Sequence, residues 1–301
     1  MKVLVTGGAG FIGHTISKKY IKKGYKVTIL DNLSTGKKEN IPNDADFIFG
    51  DICDSKIIKK LGSFDLLSHH AAQTSVTFSV KNPLIDARNN IFGTISLLEN
   101  MKGKINQIIF ASTGGAIYGN IKKTATEKHK TNPESPYALN KMTGEKIVTM
   151  WAKQNKTKAT ILRYSNVYGL GQDPHGESGV IAIWMKNILE KKPCVIYGDG
   201  NSVRDYVYVE DVANANLLSI GKEGVFNIGT GIGTSTNALF KMLRPKEKAI
   251  YKKAREGEVE RSVLDASKAK KIFYWESKTR IQDGIRLTFS KETKRRKNNN
   301  E

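Results

Sequence analysis

The stretch TGGAGFIG, Thr6–Gly13, decides the fold. An apolar, β-branched run precedes it and an amphipathic segment follows it, so its glycines stand between a predicted strand and a predicted helix. Gly7 permits a tight turn, Gly10 lets the backbone approach a diphosphate, and Gly13 lets the helix pack closely against the strand. We expect this loop to bind a dinucleotide through Gly7, Gly10, Phe11, Ile12 and Gly13.

An acidic residue stands where the next predicted strand ends. Asp31, in the segment ILDN, follows the second apolar run of the chain. A carboxylate at this point accepts hydrogen bonds from both ribose hydroxyls and repels a 2′-phosphate. The sequence therefore predicts NAD, rather than NADP, as the cofactor.

The amino-terminal half alternates short β-branched runs with amphipathic segments. The predicted strands are Lys2–Thr6, Lys26–Leu30, Phe47–Phe49, Asp65–Ser68, Gln107–Ala111 and Ala159–Arg163. The predicted helices are Gly13–Lys23, Ile85–Met101 and Ala138–Lys153. This alternation predicts an α/β fold with a Rossmann-type doubly wound parallel sheet, and a ligand at the carboxyl ends of its strands.

After Arg163 the pattern changes to glycine-rich loops between short elements, which predicts a smaller α/β substrate-binding domain. We assign residues 1–163 to the NAD-binding domain, with residues 207–219 returning to it. Residues 164–206 and 220–290 are assigned to the substrate domain. The basic end, residues 291–301, is predicted to be a disordered tail.

Composition narrows the class of protein. The 49 lysines and arginines exceed the 29 acidic residues by 20, but they are scattered, which indicates a solvated basic surface rather than a nucleic-acid site. Cys53 and Cys194 are far apart in the sequence, and neither they nor the histidines show the spacing of metal ligands. No apolar run approaches the roughly 20 residues of a membrane helix, and no signal peptide is recognisable. We expect a cytoplasmic protein without a bound metal.

The pattern Tyr-x-x-x-Lys occurs three times, but only Tyr137 and Lys141, in SPYALNK, open a long predicted helix. Tyr118 lies in a turn and Tyr274 lies beside other aromatic residues, so structural roles are favoured for both. A lysine one turn after a tyrosine shares its helix face. Its charge, with that of a nicotinamide, favours the phenolate and is expected to lower the tyrosine pKa from about 10.

A strand that ends in hydroxyl residues precedes this helix. The run IIFAS leads into Ser112 and Thr113 at the predicted carboxyl edge of the sheet. Either hydroxyl can bond the reacting oxygen of a substrate and share its proton with Tyr137. We therefore predict a catalytic group of Tyr137, Lys141 and one of these two hydroxyls.

Taken together, these segments resemble the extended short-chain dehydrogenase/reductases, and among them the NAD-dependent UDP-glucose 4-epimerases. The resemblance covers roughly residues 1–288 and includes LDNLSTG, STGGAIYG, LRYSNVYG and GDGNSVRDYVYVEDV. It implies that Tyr137 takes the proton of a sugar 4-hydroxyl while hydride passes to tightly held NAD⁺. The hydride then returns to the opposite face of a transient 4-keto sugar.

The resemblance also implies roles for residues outside the motifs discussed above. Tyr137 and Lys141 are expected to contact the cofactor, together with Asp31, Asn32, Asp51, Ile52, Ala71, Ala72, Gln73 and Asn90. The residues expected to contact the UDP-sugar are Asn166, Val180, Arg204, Arg255, Glu258 and Ser262. A homodimer is expected through the helices predicted at residues 85–101 and 138–153.

Several functions remain open within this resemblance. A 4,6-dehydratase would carry Asp-Glu where this chain has Gly114 and Gly115, so its acid and base are missing. Epimerases of UDP-glucuronate and UDP-GlcNAc share the remaining motifs, and the small Ser262 leaves room for an N-acetyl group. A different class of protein is a non-catalytic NAD-binding scaffold that binds nucleic acid through its basic surface.

Overall fold

The computed structural model describes residues 1–174, 179–246, 248–254 and 259–298. Its strands are β1 (Lys2–Thr6), β2 (Lys26–Asp31), β3 (Ala45–Phe49), β4 (Phe64–His69), β5 (Ile105–Thr113), β6 (Lys158–Tyr164), β7 (Asn166–Tyr168), β8 (Val195–Tyr197), β9 (Val203–Tyr208), β10 (Gly224–Ile228), β11 (Gly233–Ser235), β12 (Ile250–Lys252) and β13 (Arg261–Ser262). Its α-helices are α1 (Phe11–Lys22), α2 (Ser55–Lys59), α3 (Val76–Lys81), α4 (Pro83–Ala87), α5 (Gly93–Asn100), α6 (Gly114–Ile117), α7 (Pro136–Gln154), α8 (Val180–Leu189), α9 (Val209–Leu218), α10 (Thr236–Leu243), α11 (Ser267–Phe273) and α12 (Ile281–Asn298). Within the described residues, no helix has both the length and the apolar character needed to span a membrane. The cytoplasmic location stays a prediction.

Seven strands form one parallel sheet in the order β10-β6-β5-β4-β1-β2-β3. The sheet has a core on each face: Val3 and Val5 of β1 pack in one apolar cluster, while Leu4 between them packs in the other. Burial on both faces explains why these strands are almost continuously apolar. The strand order reverses between β1 and β4, so a crevice opens at their carboxyl ends. The predicted Rossmann-type α/β fold is confirmed.

A second region forms over this edge of the large sheet. Strand β9 pairs with β7, β11 and β13, and β8 pairs with β12. A third apolar cluster joins these strands to α8 and α10 through buried side chains that include Trp184 and Leu239. This region follows β6 in the chain, where the sequence predicts the substrate domain.

Two predicted boundaries need correction. Residues 224–228 were expected in the substrate domain, but they form β10 and pair in parallel with β6 of the large sheet. The run GVFNI is only five residues long and has a glycine at its start and another directly after it, so the sequence pattern resembles that of the glycine-rich loops around it. At the other end, α12 continues to Asn298, so residues 291–298 are helical rather than a disordered tail. Its regular backbone hydrogen bonds continue beyond the last apolar residue of the helix.

The helix predicted at residues 85–101 is interrupted. A π-helical turn, Arg88–Phe92, separates α4 from α5. Such turns widen the helix by one residue and often occur at functional sites. Here the turn carries Asn90, which is buried, into the crevice beyond β4.

Candidate active site

The glycine loop is held tightly between β1 and the segment that follows β4. Gly7 has a φ of +71°, and a Cβ added there would lie 2.6 Å from the backbone nitrogen of Ala71. A Cβ added at Gly13 would lie 2.1 Å from the carbonyl oxygen of Gly7. Only glycine fits these two positions, so the helix can begin close to the strand ends. The other predicted loop residues form the cap and first turn of α1: Gly10, Phe11 and Ile12.

The acidic residue at the end of β2 is fixed by the backbone. Asp31 is buried, and its carboxylate accepts from the N–H of Ala9 at 3.0 Å and of Leu33 at 2.8 Å. Each oxygen keeps a further lone pair that can accept a ribose hydroxyl. Asn32 donates to a carboxylate oxygen of Asp51 at 3.0 Å, which joins the ends of β2 and β3. A glycine cradle with a fixed carboxylate beside it fits the diphosphate and adenosine ribose of NAD.

The remaining predicted cofactor contacts line the same edge. Ile52 follows Asp51 and is buried. Beyond β4, the Ala71 N–H donates to the hydroxyl of Thr6 at 3.3 Å. Ala72 comes next. The backbone N–H of Gln73 donates to the side-chain oxygen of Asn90, and the side-chain amide of Asn90 donates to the backbone carbonyl of Gln73, both at 3.0 Å. These contacts connect the loop after β4 to the π-helical turn.

Ser112 and Thr113 face different partners. The Thr113 hydroxyl forms a hydrogen bond with the hydroxyl of Tyr137. Ser112 is buried and instead donates to a carboxylate oxygen of Glu145 at 2.5 Å. The structure therefore brings Thr113, and not Ser112, to the predicted base.

Helix α7 sets the spacing of Tyr137 and Lys141. Ser135 caps it by accepting from the N–H of Ala138 at 3.2 Å, and Pro136 occupies its first position. Tyr137 lies in the first turn, and the buried Lys141 follows on the same face, with its Nζ 4.4 Å from the centroid of the Phe110 ring. The tyrosine and lysine thus reach the carboxyl edge of β5 together.

Burial shifts the pKa of Tyr137 and that of Lys141 in the directions that favour the neutral form of each side chain. It raises the pKa of Tyr137 to about 12, although the hydrogen bond with Thr113 acts in the opposite direction. It lowers the pKa of Lys141 to about 8, although the nearby carboxylates of Glu145 and Asp86 raise it. Desolvation therefore dominates the pKa of Tyr137 in the protein by itself. The predicted lowering, which includes the positive charge of a bound nicotinamide, stays a prediction.

A buried carboxylate that the sequence analysis missed lies behind this pair. Asp86 is fully buried on α4 and accepts hydrogen bonds from the side-chain amides of Gln73, Asn90 and Asn140. Asp86 precedes Asn90 by four residues, a spacing that places both on one helix face. That spacing could have predicted the pairing of Asp86 with Asn90, but it does not predict the contact of Asp86 with Asn140 on α7.

The predicted UDP-sugar contacts fall into two groups. Asn166 adjoins the catalytic group, because a Cβ added at Gly115 would lie within 3.8 Å of both Asn166 and Thr113 side chains. Arg204 and Ser262 are paired in register on β9 and β13, and Ser262 is buried. Val180 begins α8. Two predicted contacts lie outside the described residues: Arg255 and Glu258.

The other two Tyr-x-x-x-Lys tyrosines lie in structural settings. The hydroxyl of Tyr118 accepts from Arg163 and donates to Asn227, both at 2.8 Å. Tyr274 is 87% exposed and ends α11 in a left-handed conformation. Neither side chain shares the contact that Tyr137 has with Thr113.

The sequence profile of the NAD dependent epimerase/dehydratase family matches residues 3–229. The match spans most of the chain, including the glycine loop, Tyr137 and Lys141. This chain belongs to that family. Membership in the NAD dependent epimerase/dehydratase family confirms the predicted enzyme class and the predicted dependence on NAD.

Three solved structures are similar over nearly the whole chain. The UDP-glucose 4-epimerase of Thermotoga maritima, solved with UDP-glucose, is 44% identical with a TM-score of 0.95, covering 98% of this chain and 99% of that one. The UDP-glucose 4-epimerase of Thermus thermophilus, solved with NAD, is 40% identical with a TM-score of 0.90, covering 96% and 98%. The UDP-N-acetylglucosamine 4-epimerase of Methanobrevibacter ruminantium, in complex with UDP-N-acetylmuramic acid, is 33% identical with a TM-score of 0.92, covering 98% of both chains. These enzymes share the fold and differ in the sugar named.

Proposed function

We propose that the chain is a UDP-hexose 4-epimerase that interconverts UDP-glucose and UDP-galactose through a transient 4-keto sugar. The observation that carries this proposal is the hydrogen bond between Thr113 and Tyr137, with Lys141 one turn further along α7. This group lies at the sheet edge that also carries the glycine loop. The similarity to two UDP-glucose 4-epimerases over nearly the whole chain supports the substrate class.

Each residue of the site has a defined task in this reaction. Tyr137 takes the proton of the sugar 4-hydroxyl, and Thr113 holds the same oxygen by a hydrogen bond. NAD, when bound, supplies the acceptor for the C4 hydride and a positive charge beside the phenol. That charge and the Lys141 ammonium together favour the phenolate, against the burial that raises the pKa of Tyr137. The proposed anchors of the UDP moiety are Asn166, Val180, Arg204, Arg255 and Glu258.

The first experiment is incubation of the purified protein with UDP-galactose, without added cofactor, followed by separation of the sugar nucleotides. We expect conversion to UDP-glucose and a loss of at least about 100-fold in the Tyr137→Phe variant, since a positioned base contributes about 10²–10⁴-fold. Tyr274→Phe is the matched control and keeps full activity, because that side chain is 87% exposed. Absence of conversion by the unaltered protein, even with added NAD⁺, would contradict the proposal.

A second substrate pair is UDP-GlcNAc and UDP-GalNAc. Ser262 is small and buried beside Arg204, so it leaves space that a large side chain would fill. The similarity to a UDP-N-acetylglucosamine 4-epimerase also favours this pair. We expect turnover of UDP-GalNAc in the same assay. Good turnover of UDP-galactose without any turnover of UDP-GalNAc would exclude the second pair.

Two further alternatives are outcomes of the same assay. Turnover of UDP-glucuronate alone would make the enzyme an epimerase of the acidic sugar. Tight, salt-sensitive binding of nucleic acid with no sugar turnover would favour the scaffold, because phosphate contacts weaken as salt rises.

We also propose a homodimer, on the basis of an exposed apolar surface. Helices α3, α4 and α7 and the π-helical turn between α4 and α5 pack together. They expose Val80, Leu84, Ile85, Phe92, Leu139 and Met150. A group of exposed apolar side chains on packed helices is typical of a protein interface. Sedimentation at micromolar concentration should give twice the 33.4 kDa mass of one chain, and a monomeric mass would contradict the proposal.

A further inference from the structure

The carboxylate of Asp86 is satisfied entirely by neutral donors. Its Oδ1 accepts from the Nε2 of Gln73 at 2.5 Å and from the Nδ2 of Asn90 at 3.1 Å. Its Oδ2 accepts from the Nδ2 of Asn140 at 2.6 Å. No ion pair between Asp86 and a lysine or arginine is found among the described residues. The carboxylate of Asp86 is therefore fully buried, and the groups that donate hydrogen bonds to it carry no positive charge.

The three donors come from the elements that build the site. Gln73 lies in the loop after β4, where the cofactor contacts are expected, and Asn90 fixes that loop through its two bonds to the backbone of Gln73. Asn140 lies on α7, between Tyr137 and Lys141 in sequence. Asp86 thus connects the cofactor side of the crevice directly to the helix that carries the catalytic pair.

The charge of Asp86 acts on both members of that pair. It raises the pKa of Lys141, together with Glu145, and it also raises the pKa of Tyr137. The charge of Lys141 in turn lowers the pKa of His69 and His70, whose pKa values burial already lowers. Glu145, which is paired with Arg163, makes the larger of the two carboxylate contributions to the pKa of Lys141, and Asp86 adds a second contribution from α4.

We propose that Asp86 is a positioning residue of the epimerase: through Gln73 and Asn140 it fixes the cofactor loop against α7, and its charge adds to that of Glu145 in favouring the Lys141 ammonium. The catalytic part of this inference rests on the proposed function, but the effect on Lys141 does not. Misplacement of reacting groups by about 1 Å costs on the order of 100-fold in rate, so a residue that fixes two of them has a measurable role without touching the substrate.

The test compares Asp86→Asn with the double variant Asp86→Asn/Asn140→Asp. In Asp86→Asn the new side-chain NH₂ faces the NH₂ of Asn140. The hydrogen bond that Asn140 donates to Asp86 is therefore lost together with the charge. The double variant restores both, because the amide at position 86 can donate to the carboxylate at position 140. Asn140→Ala is the second single variant: it keeps the charge of Asp86 and removes only the connection to α7.

Two quantities are measured on each variant. The first is steady-state turnover of UDP-galactose. The second is the pH midpoint at which Lys141 reacts with an amine-reactive acylating agent, as detected by mass spectrometry. This second measurement needs no enzymatic turnover. We expect Asp86→Asn to lower kcat by about 10- to 100-fold with KM within about threefold, and to move the Lys141 midpoint to lower pH. Asn140→Ala should lower kcat without moving the midpoint, and the double variant should recover most of kcat and of the midpoint.

The outcomes separate the two proposals. Unchanged kcat and an unchanged midpoint in a folded Asp86→Asn variant would overturn the role of Asp86. A double variant as impaired as the single one, with a native circular dichroism spectrum, would also overturn it. If the unaltered protein turns over no UDP-sugar, the proposed function fails, and the Lys141 midpoint still decides whether Asp86 controls that charge. Should Asp86→Asn not fold, Asn140→Ala and the double variant provide the same decision.

Discussion

Asp86 and Glu145 are both buried carboxylates that influence Lys141, but their hydrogen bonds come from different kinds of donor. Glu145 accepts from the guanidinium of Arg163 through both of its oxygens, at 2.9 and 2.6 Å, and from Ser112. Among the residues that the structure describes, the donors to Asp86 are all side-chain amides. A guanidinium neutralises the carboxylate it binds, whereas amides stabilise a carboxylate and leave its charge. The Glu145 side of α7 is therefore joined to β6 through an ion pair and to β5 through Ser112, whereas the Asp86 side is held by amides. Both carboxylates raise the pKa of Lys141, and Glu145 contributes more.

The largest effect expected from this comparison is on stability at the Glu145 side. Arg163→Met leaves the Glu145 carboxylate buried without its cation, and breaking a buried pair in this way costs about 3–5 kcal/mol of unfolding free energy. The double variant Arg163→Met/Glu145→Gln removes both charges and should recover a large part of that loss. Urea unfolding of the unaltered protein, of Arg163→Met, of Glu145→Gln and of the double variant measures the difference.

Two results would break the comparison. A loss below about 1 kcal/mol in Arg163→Met would mean that the pair behaves like an exposed one. A double variant as unstable as the sum of its single changes would mean that the guanidinium does not serve Glu145. Either result would remove the distinction between the ion-paired carboxylate of Glu145 and the amide-bonded carboxylate of Asp86.

The next effect concerns the two hydroxyls at the end of β5. Thr113→Val removes the hydroxyl that bonds Tyr137, and we expect kcat to fall about 10- to 100-fold, which corresponds to one hydrogen bond to a charged group. Ser112→Ala removes one donor to Glu145 and should lower the unfolding free energy by about 1–2 kcal/mol, with kcat within about threefold. Kinetics and unfolding on both variants measure the contrast, and a reversal of the two results would move the catalytic role to Ser112.

The sequence predicted the parts of the site that rest on local patterns. The glycine loop needs glycine at fixed offsets between a strand and a helix, and Tyr137 and Lys141 need only the helical spacing of four. The choice between Ser112 and Thr113 was different, because it depends on which neighbouring side chain each hydroxyl meets across the sheet edge. That neighbour is Glu145 for one hydroxyl and Tyr137 for the other.

The rest depends on contacts between segments far apart in the chain. Asn140 and Asp86 are 54 residues apart, and their contact depends on the packing of α4 against α7. Similarly, β10 is recognisable as a strand of the large sheet only once β6 offers it an edge. Hydrophobic periodicity carries no information on either pairing, because both are set by tertiary packing.

The smallest effect comes from the histidines near Lys141 at the end of β4, where His69 is the last residue of the strand and His70 follows it. Burial, with a smaller contribution from the Lys141 charge, lowers the pKa of His70 to about 3, below its ordinary value of 6.5. The unfolded chain then binds this proton more readily than the folded one, so folding loses stability as the pH falls from about 6.5 towards 3, by up to about 1.4 kcal/mol per pH unit. Urea unfolding between pH 7 and 5 gives the slope of the unfolding free energy against pH. In His70→Asn this slope should be smaller, by an amount that approaches the contribution of about one bound proton at pH 5. An identical slope in both proteins would mean that His70 already binds its proton in the folded state, and the field at Lys141 would then include a third charge beside those of Asp86 and Glu145.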